Sequence, residues 1–319
     1  RILNIQFDSA LDSSLGSSNC DYSQEMEDVW HGRVWQEFPD DDDGAGVYTK
    51  HSGNLVFSLY LDWFNAEGDS NLGKHNSLGA ITLVCLNLPP TQRYKVQNMY
   101  LFGVIPGPNE PSLEQINHLL RPLVEELKIL WTNGHQFDST AAFPQGRRIR
   151  VAIFPLIADL PALRKAAGFG SHQSTLFCSF CLLERKEIEE TDISKFPLHN
   201  HDEHLKHAKQ WLETKNHTAR EKLVKEHGAR WSVLNELQYW RPIEYCSIEL
   251  MHALILGNLK DHSLRFLALP TVGARLKDMQ EKDEKWKNDE SYKEPPFTGT
   301  FGPKPKGFMN NCQTKRKQD

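Results

Sequence analysis

Apolar runs of strand length, set apart by Pro- and Gly-rich stretches, open the chain. The first strand is read within Val47–Asp62; its apolar core lies in Asn54–Asn65, Asn-Leu-Val-Phe-Ser-Leu-Tyr-Leu-Asp-Trp-Phe-Asn. Leu78–Leu88 reads as a second strand stopped by Pro89-Pro90, and Gln97–Ile105 as a third stopped by Pro106-Gly107-Pro108. Short turns between them predict an antiparallel meander. The period then changes. Leu113, Ile116, Leu119, Leu120, Leu123, Val124, Leu127 and Leu130 recur at helical spacing, so one face is apolar. Ser112 and Gln115 form a capping-box pattern, Pro122 predicts a kink, and Asn133-Gly134 ends the helix. Ile149–Ala158 reads as a fourth strand, followed by a short helix that stops near Gly168.

The second half is more polar. Ser174–Leu183 reads as a fifth strand. Residues 184–240 are charged and helical, with Leu205, Ala208, Leu212 and Lys215 on one face, a second capping box at Thr218 and Glu221, and a stop at Gly228. Within Glu244–Lys260, Met251–Gly257 reads as a buried helix. The first 45 residues are Ser-, Asp- and Gly-rich around an aromatic island, Trp30–Phe38, and read as a partly disordered arm. From Lys277 onward Lys, Glu, Asp, Pro and Gly predominate, which predicts disorder.

Two of the strands end on a carboxylate. Asp62 closes the first and Asp159 the fourth. An acid at the end of a buried strand is costly unless it is paired, hydrogen-bonded or bound to a cation. Each has a simpler role as well: Asp62 in the turn that follows it, and Asp159 as the N-cap of the helix beginning at Pro161. Three strands, one helix and a further strand form the opening order of an RNase H-like α/β fold. In that fold, acids at these two strand ends lie side by side. Such a pair suits divalent ions that clamp the attacking and leaving oxygens of a phosphodiester, and hard oxygen ligands suit Mg²⁺. The expected organisation is an arm over residues 1–45, an RNase H-like core over 46–183 with a mixed sheet, an inserted helical block over 184–240, a helical continuation of the core over 241–270 and a disordered tail over 271–319.

Composition narrows the class. Of 319 residues, 39% are hydrophobic and 25% charged, which fits a globular protein rather than a disordered one. No apolar run reaches the length of a membrane span, so no membrane association is expected. The start, Arg1-Ile2-Leu3-Asn4, lacks Met and an apolar leader, and reads as a fragment or processed chain without a signal peptide. Six cysteines, two of them in Cys178-x-x-Cys181, point to a reduced compartment. A net charge of −5, to which Asp40–Asp43 contributes a block, gives no global attraction to nucleic acid and leaves that role to local basic clusters.

Several short segments occur in an order that resembles CACTA (En/Spm-like) transposases, especially the copies common in basidiomycete fungi. They are Asp62–Asn65, Gly73–His75, Leu86–Pro90, Ile105–Pro108, Leu120–Leu123, Asp159–Ala162, Gly168-Phe169, Phe177–Cys181 and Met251–Gly257. The resemblance runs from about Trp30 to Leu267. It implies a DDE-type transposase that uses Mg²⁺ or Mn²⁺ to cut DNA at the ends of a transposable element. The freed 3′-hydroxyl is then joined to target DNA in a recombination reaction. It also implies transposon-end and target DNA as partners, a homo-oligomer and a nuclear location. Asp62 matches the first acid of that family and Asp159 the second; the third, a Glu, is expected beyond the helical block. The family's Asp-Pro-Met-His stands here as Glu249-Leu250-Met251-His252, and the likeness fades after about Leu269, where Glu281 and Glu284 are the acids. These departures read as an incomplete or decayed copy, with a non-catalytic DNA- or protein-binding module as the alternative.

Other constellations remain. Cys178 and Cys181 form half of a zinc site that His204 and His207 could complete, with His172, His199 and His201 as further candidates; buried thiols and solvated histidines are the plainer reading. Glu249 and His252 share a helical face and support the acidic site, orient DNA or belong to the core. Arg147, Arg148, Arg150, Arg164 and Lys165 flank the fourth strand and the Asp159 turn as phosphate contacts or ordinary solvated charge.

Overall fold

Strand β1, Asn54–Asn65, is the spine of the sheet in this computed structural model, which describes residues 5–16, 25–40, 46–65, 77–265 and 267. It pairs antiparallel with β2, Ser77–Cys85, which pairs antiparallel with β3, Met99–Ile105. The meander expected from the short turns is therefore present. On its other side β1 pairs in parallel with β5, Arg147–Ala158, from Asn54 opposite Arg150 to Leu61 opposite Ala158. Pro155 lies where the register shifts between Phe57 and Leu59; a residue without an N–H is tolerated in a strand at such an irregularity.

The far edge of β5 is shared. Its first three residues pair antiparallel with a short strand β4, His135–Phe137, and its last three pair in parallel with β6, Cys246–Ile248. The result is a mixed α/β architecture around a mixed sheet. Neither β4 nor β6 was expected. Three residues are too few for a period of two to register.

Helix α1, Leu113–Thr132, begins at the expected capping box: the Ser112 hydroxyl accepts from the Gln115 amide, and the Gln115 side chain accepts from the Ser112 amide. It runs on through Pro122. Its buried face, Ile116, Leu120, Leu123, Val124, Leu127 and Trp131, shares one core with Val56, Leu59 and Leu61 of β1 and Ile153 and Leu156 of β5. After β5, Asp159 caps helix α2, Leu160–Ala167, which Gly168 closes in a left-handed conformation. Any Cβ at Gly168 would meet the Arg230 carbonyl oxygen at 2.5 Å, so the close return of the chain requires glycine.

The helical block forms a hairpin of α3, His201–Glu213, and α4, His217–His227. Its details differ from expectation. The buried face of α3 is His204, Ala208 and Trp211, whereas Leu212 is exposed, and α4 is capped by Asn216 rather than by Thr218. Ser174–Leu183 is not a strand; isolated bridges tie Leu176 to Glu184 and Cys181 to Leu198. Met251–Leu259 is a π-helix with Leu254, Ile255 and Leu256 exposed, where a buried helix was expected. The expected tail lies outside the described residues. No helix among the described residues is long and apolar enough to cross a membrane.

The aromatic island of the supposed arm belongs to the core. Phe38, 1% exposed, packs against Tyr48, Trp131, Phe154, Tyr239 and Tyr245 with ring centroids 4.4–6.1 Å apart. A truncation there loses both buried area and edge-to-face contacts. Phe38→Ala is expected to lower unfolding stability by about 3–5 kcal/mol in urea titrations. An unchanged midpoint would show that the arm is peripheral after all.

Candidate active site

The three parallel strands set the geometry. Leu61, Ala158 and Ile248 occupy one row across β1, β5 and β6. The next residue on each strand is acidic: Asp62, Asp159 and Glu249. The Glu249 amide donates to the Ala158 carbonyl at 3.0 Å, which extends the pairing to the acid itself. Neighbouring strands lie about 4.8 Å apart, so the three carboxylate-bearing residues stand side by side. The parallel pairing of β1 with β5 ends at Leu61 and Ala158, so Asp159 follows the end of β5, whereas Asp62 does not close β1 as expected: the strand runs on to Asn65, paired with β2.

Each acid has different surroundings. Asp62 is exposed as a residue, yet the adjoining protein raises its carboxyl above the ordinary range. Asp159 and Glu249 add repulsion, while His252 and the Trp63 amide oppose the shift. Asp159 spends one oxygen on the Ala162 amide at 2.8 Å, so its expected N-cap role is real. Glu249 accepts from the Met251 amide through Oε1, and from the His252 amide and ring Nδ1 through Oε2, at 2.8, 2.8 and 2.6 Å. Partial burial would raise its carboxyl, but these three bonds together hold it below the usual range. The expected pairing of Glu249 with His252 is therefore present, and it bears on Asp62.

The basic residues divide. Arg147, Arg148 and Arg150 lie at the start of β5, at the opposite end of the strand from Asp159. This corrects their expected place beside the acidic turn. Arg147 is buried against Asp12 at 3.0 Å. Arg150 is buried against Asp40 at 2.7 Å, stacks over Tyr48 and Trp131, and donates to the Trp131 carbonyl. Arg148 is exposed and donates to the Asn133 and Thr132 carbonyls that end α1. Arg164 and Lys165 do lie on α2, just beyond Asp159. Arg164 donates to the Phe177 carbonyl at 2.8 Å; Lys165 pairs with Glu110 at 2.6 Å and sits over the Trp63 ring.

The cysteine turn forms a second cluster. The Phe180 amide donates to Cys178 Sγ at 3.4 Å, and the Leu183 amide bonds Cys181. Burial raises the Cys181 thiol, and the adjoining Cys178 thiol adds to the shift. The chain from Pro197 to His199 runs beside this turn, and His199 Nε2 lies 3.0 Å from the Cys178 carbonyl. His204, 2% exposed, has no hydrogen-bond partner on either ring nitrogen; its ring lies 6.3 Å from that of His199. Burial, aided by the neighbouring histidines, pushes its pKa down to about 3, so the ring is neutral. His207 instead stacks on His227, centroids 3.8 Å apart.

No group of three or more His, Cys, Asp or Glu among the described residues is drawn close enough to hold a metal ion as it stands. Burial raises the Asp62 carboxyl, repulsion from Asp159 and Glu249 adds to the shift, and carboxylate oxygens are the donors that a hard divalent cation takes. Glu281 and Glu284, the acids considered for the third position, lie outside the described residues.

The raised carboxyl of Asp62 has a measurable consequence. The folded chain binds that proton more tightly than the unfolded chain does. Ionisation therefore works against folding: the penalty is absent below the ordinary carboxylate range and appears as pH rises through the raised value. Asp62→Asn should stabilise the metal-free protein at neutral pH, with the gain disappearing around pH 3. Urea titrations at both pH values that show no gain at neutral pH would contradict this.

A family model described as "Transposase family tnp2" matches residues 25–230. A search of curated proteins finds no match. The family match covers more than half of the chain, and the chain belongs to the tnp2 transposase family.

Proposed function

We propose that this member of the tnp2 family is the RNase H-like core of a CACTA-type DDE transposase, which cuts transposon ends and joins them to target DNA by metal-dependent phosphoryl transfer. The observation that carries the reading is the row Asp62–Asp159–Glu249, one residue beyond the last paired row of three parallel strands. Asp62 and Asp159 are the residues that would hold Mg²⁺ or Mn²⁺. Such ions supply an activated water and stabilise the leaving oxygen. Asp159 contributes the oxygen that its capping bond leaves over, and the cap itself fixes the backbone beneath it. Lys165, at the end of α2, is the basic residue best placed to meet DNA phosphates near the row. DNA at chromosomal sites implies action in the nucleus, and cutting two element ends calls for more than one copy of the chain.

In this reading Glu in place of Asp at position 249 does not by itself mark a decayed copy, because an acidic residue still follows the last paired row, its amide bonded to Ala158. Expected for the purified chain is Mn²⁺-dependent nicking of transposon-end DNA that falls by about two orders of magnitude or more in Asp62→Ala and in Asp159→Ala. Cleavage unchanged in Asp62→Ala would remove the assignment. Absence of cleavage in the parent chain would favour a non-catalytic DNA-binding module.

We also propose that the cysteine turn holds zinc through Cys178, Cys181, His199 and His204. The unpartnered, buried and neutral His204 ring supports this, since such a group calls for a ligand. If His199 Nε2 carries the proton donated to the Cys178 carbonyl, its Nδ1 is left as the coordinating nitrogen. His207, stacked on His227, is the less suitable fourth ligand. Elemental analysis should find about one zinc per chain, lost in Cys178→Ser and His204→Ala but kept in His207→Ala. A zinc-free parent protein purified without chelators would contradict the site.

A further inference from the structure

We propose that the cavity between the start of α1 and the helical hairpin binds a nucleotide by its phosphate group, with Arg230 as the buried anion-binding side chain and Lys225 as the charge at its mouth. The proposal stands apart from the acidic row and the cysteine turn, none of whose residues lines this cavity.

Arg230 is a buried cation without a counter-ion. The residue is 3% exposed. Its Nε and Nη2 donate to the Phe169 carbonyl at 3.0 and 2.7 Å, and Nη2 donates also to the Arg164 carbonyl at 3.0 Å. These bonds fix the guanidinium against the end of α2. No carboxylate among the described residues pairs with it, and burial alone pulls its pKa down to about 10. Nη1 has no acceptor among the described residues, yet it is not one of the buried atoms sealed from solvent. Arg230 lines the cavity, so its open surface lies there. A charge taken out of water is costly unless a partner joins it, and an anion in the cavity would be that partner.

The surroundings favour the same sign of ligand. Both α1 and α4 begin at this cavity: Ser112 caps the first, and His217 is the first residue of the second. Helix starts carry partial positive charge and unpaired amides. Ser174, 5% exposed, lines the same wall, and its hydroxyl has no partner among the described residues. The two carboxylates at the rim already have neighbours: Glu114 pairs with Arg220 at 3.2 Å, and Glu221 lies 3.7 Å from His217. Lys225 is exposed and makes no ion pair among the described residues. Arg220, Lys225 and Arg230 against Glu114 and Glu221 leave one positive charge, with His217 neutral.

Number of donors and size then identify the ligand. A phosphate presents three acceptor oxygens, one for each of Arg230, Lys225 and Ser174, whereas a carboxylate presents two. The planar guanidinium also matches phosphate geometry. The cavity holds about 550 Å³, far more than a phosphate alone requires, and Trp211 and Val224 give it apolar wall for an attached sugar or base. A free nucleotide and a nucleotide within a DNA strand supply the same group.

The test uses the full chain, with dAMP, deoxyadenosine and a 5′-phosphorylated single-stranded oligonucleotide as probes in isothermal titration calorimetry. The parent should bind dAMP at least about tenfold more tightly than deoxyadenosine. Arg230→Lys keeps the charge but loses the fork, and should weaken dAMP binding about tenfold. Lys225→Ala, at an exposed position, should weaken it about fivefold. Far-UV circular dichroism checks the fold of each variant; where Arg230→Lys does not fold, Lys225→Ala decides alone. An oligonucleotide that displaces dAMP, and is weakened by the same substitutions, assigns the phosphate to a strand; one that leaves dAMP bound assigns it to a free nucleotide. No binding of dAMP by the parent, binding no tighter than that of deoxyadenosine, or binding unchanged in the folded variants would overturn the proposal.

Discussion

The parallel pairing of β1, β5 and β6 is the constraint on which everything else depends. A slip of one residue in either pairing would turn the affected acid to the other face of the sheet. The register is held by burial. Val56, Leu59 and Leu61 of β1, with Ala152, Ile153 and Leu156 of β5, lie in one apolar core covered by the buried face of α1. Along β1 and β5 the buried apolar positions stop where the parallel pairing stops, and an acid follows on each: Asp62, three residues before the end of β1, and Asp159, just past β5.

The other end of β5 is secured differently. Arg147 and Arg150 are buried there, and each is paired with a carboxylate from the N-terminal residues, Asp12 and Asp40. A buried charge without its partner is strongly destabilising, so these pairs tie the N-terminal segment to the sheet. Phe38 and its aromatic neighbours do the same through packing. One strand thus carries cations at its start, where they hold the N-terminal segment, and is followed at its other end by Asp159, which caps α2.

Much of this order is legible in the residues. The meander, α1 with its capping box, and the two long strands that carry or precede Asp62 and Asp159 follow from patterns long enough to register: a period of two, a period of 3.6, and Pro or Gly stops. What is not legible depends on short or long-range features. β4 and β6 contain three residues each, so no period announces them. Without β6, Glu249 reads as a helical neighbour of His252 rather than a member of the acidic row. The N-terminal aromatics lie in a Ser- and Asp-rich stretch, and local composition hides the fact that partners far along the chain bury them. Arg147 and Arg150 look like solvated charge for the same reason: Asp12 and Asp40 are more than a hundred residues away in sequence. The resemblance singles out Asp62 and Asp159 as candidate acids but carries no information about which groups surround them here.

The central claim is that Asp62 and Asp159 converge on one cation site. The most direct measurement is anomalous diffraction from crystals of the chain grown with Mn²⁺. The account predicts a manganese peak between the two carboxylates, with an oxygen of each within coordination distance. Manganese found only elsewhere, with the Asp62 and Asp159 carboxylates turned apart, would contradict it.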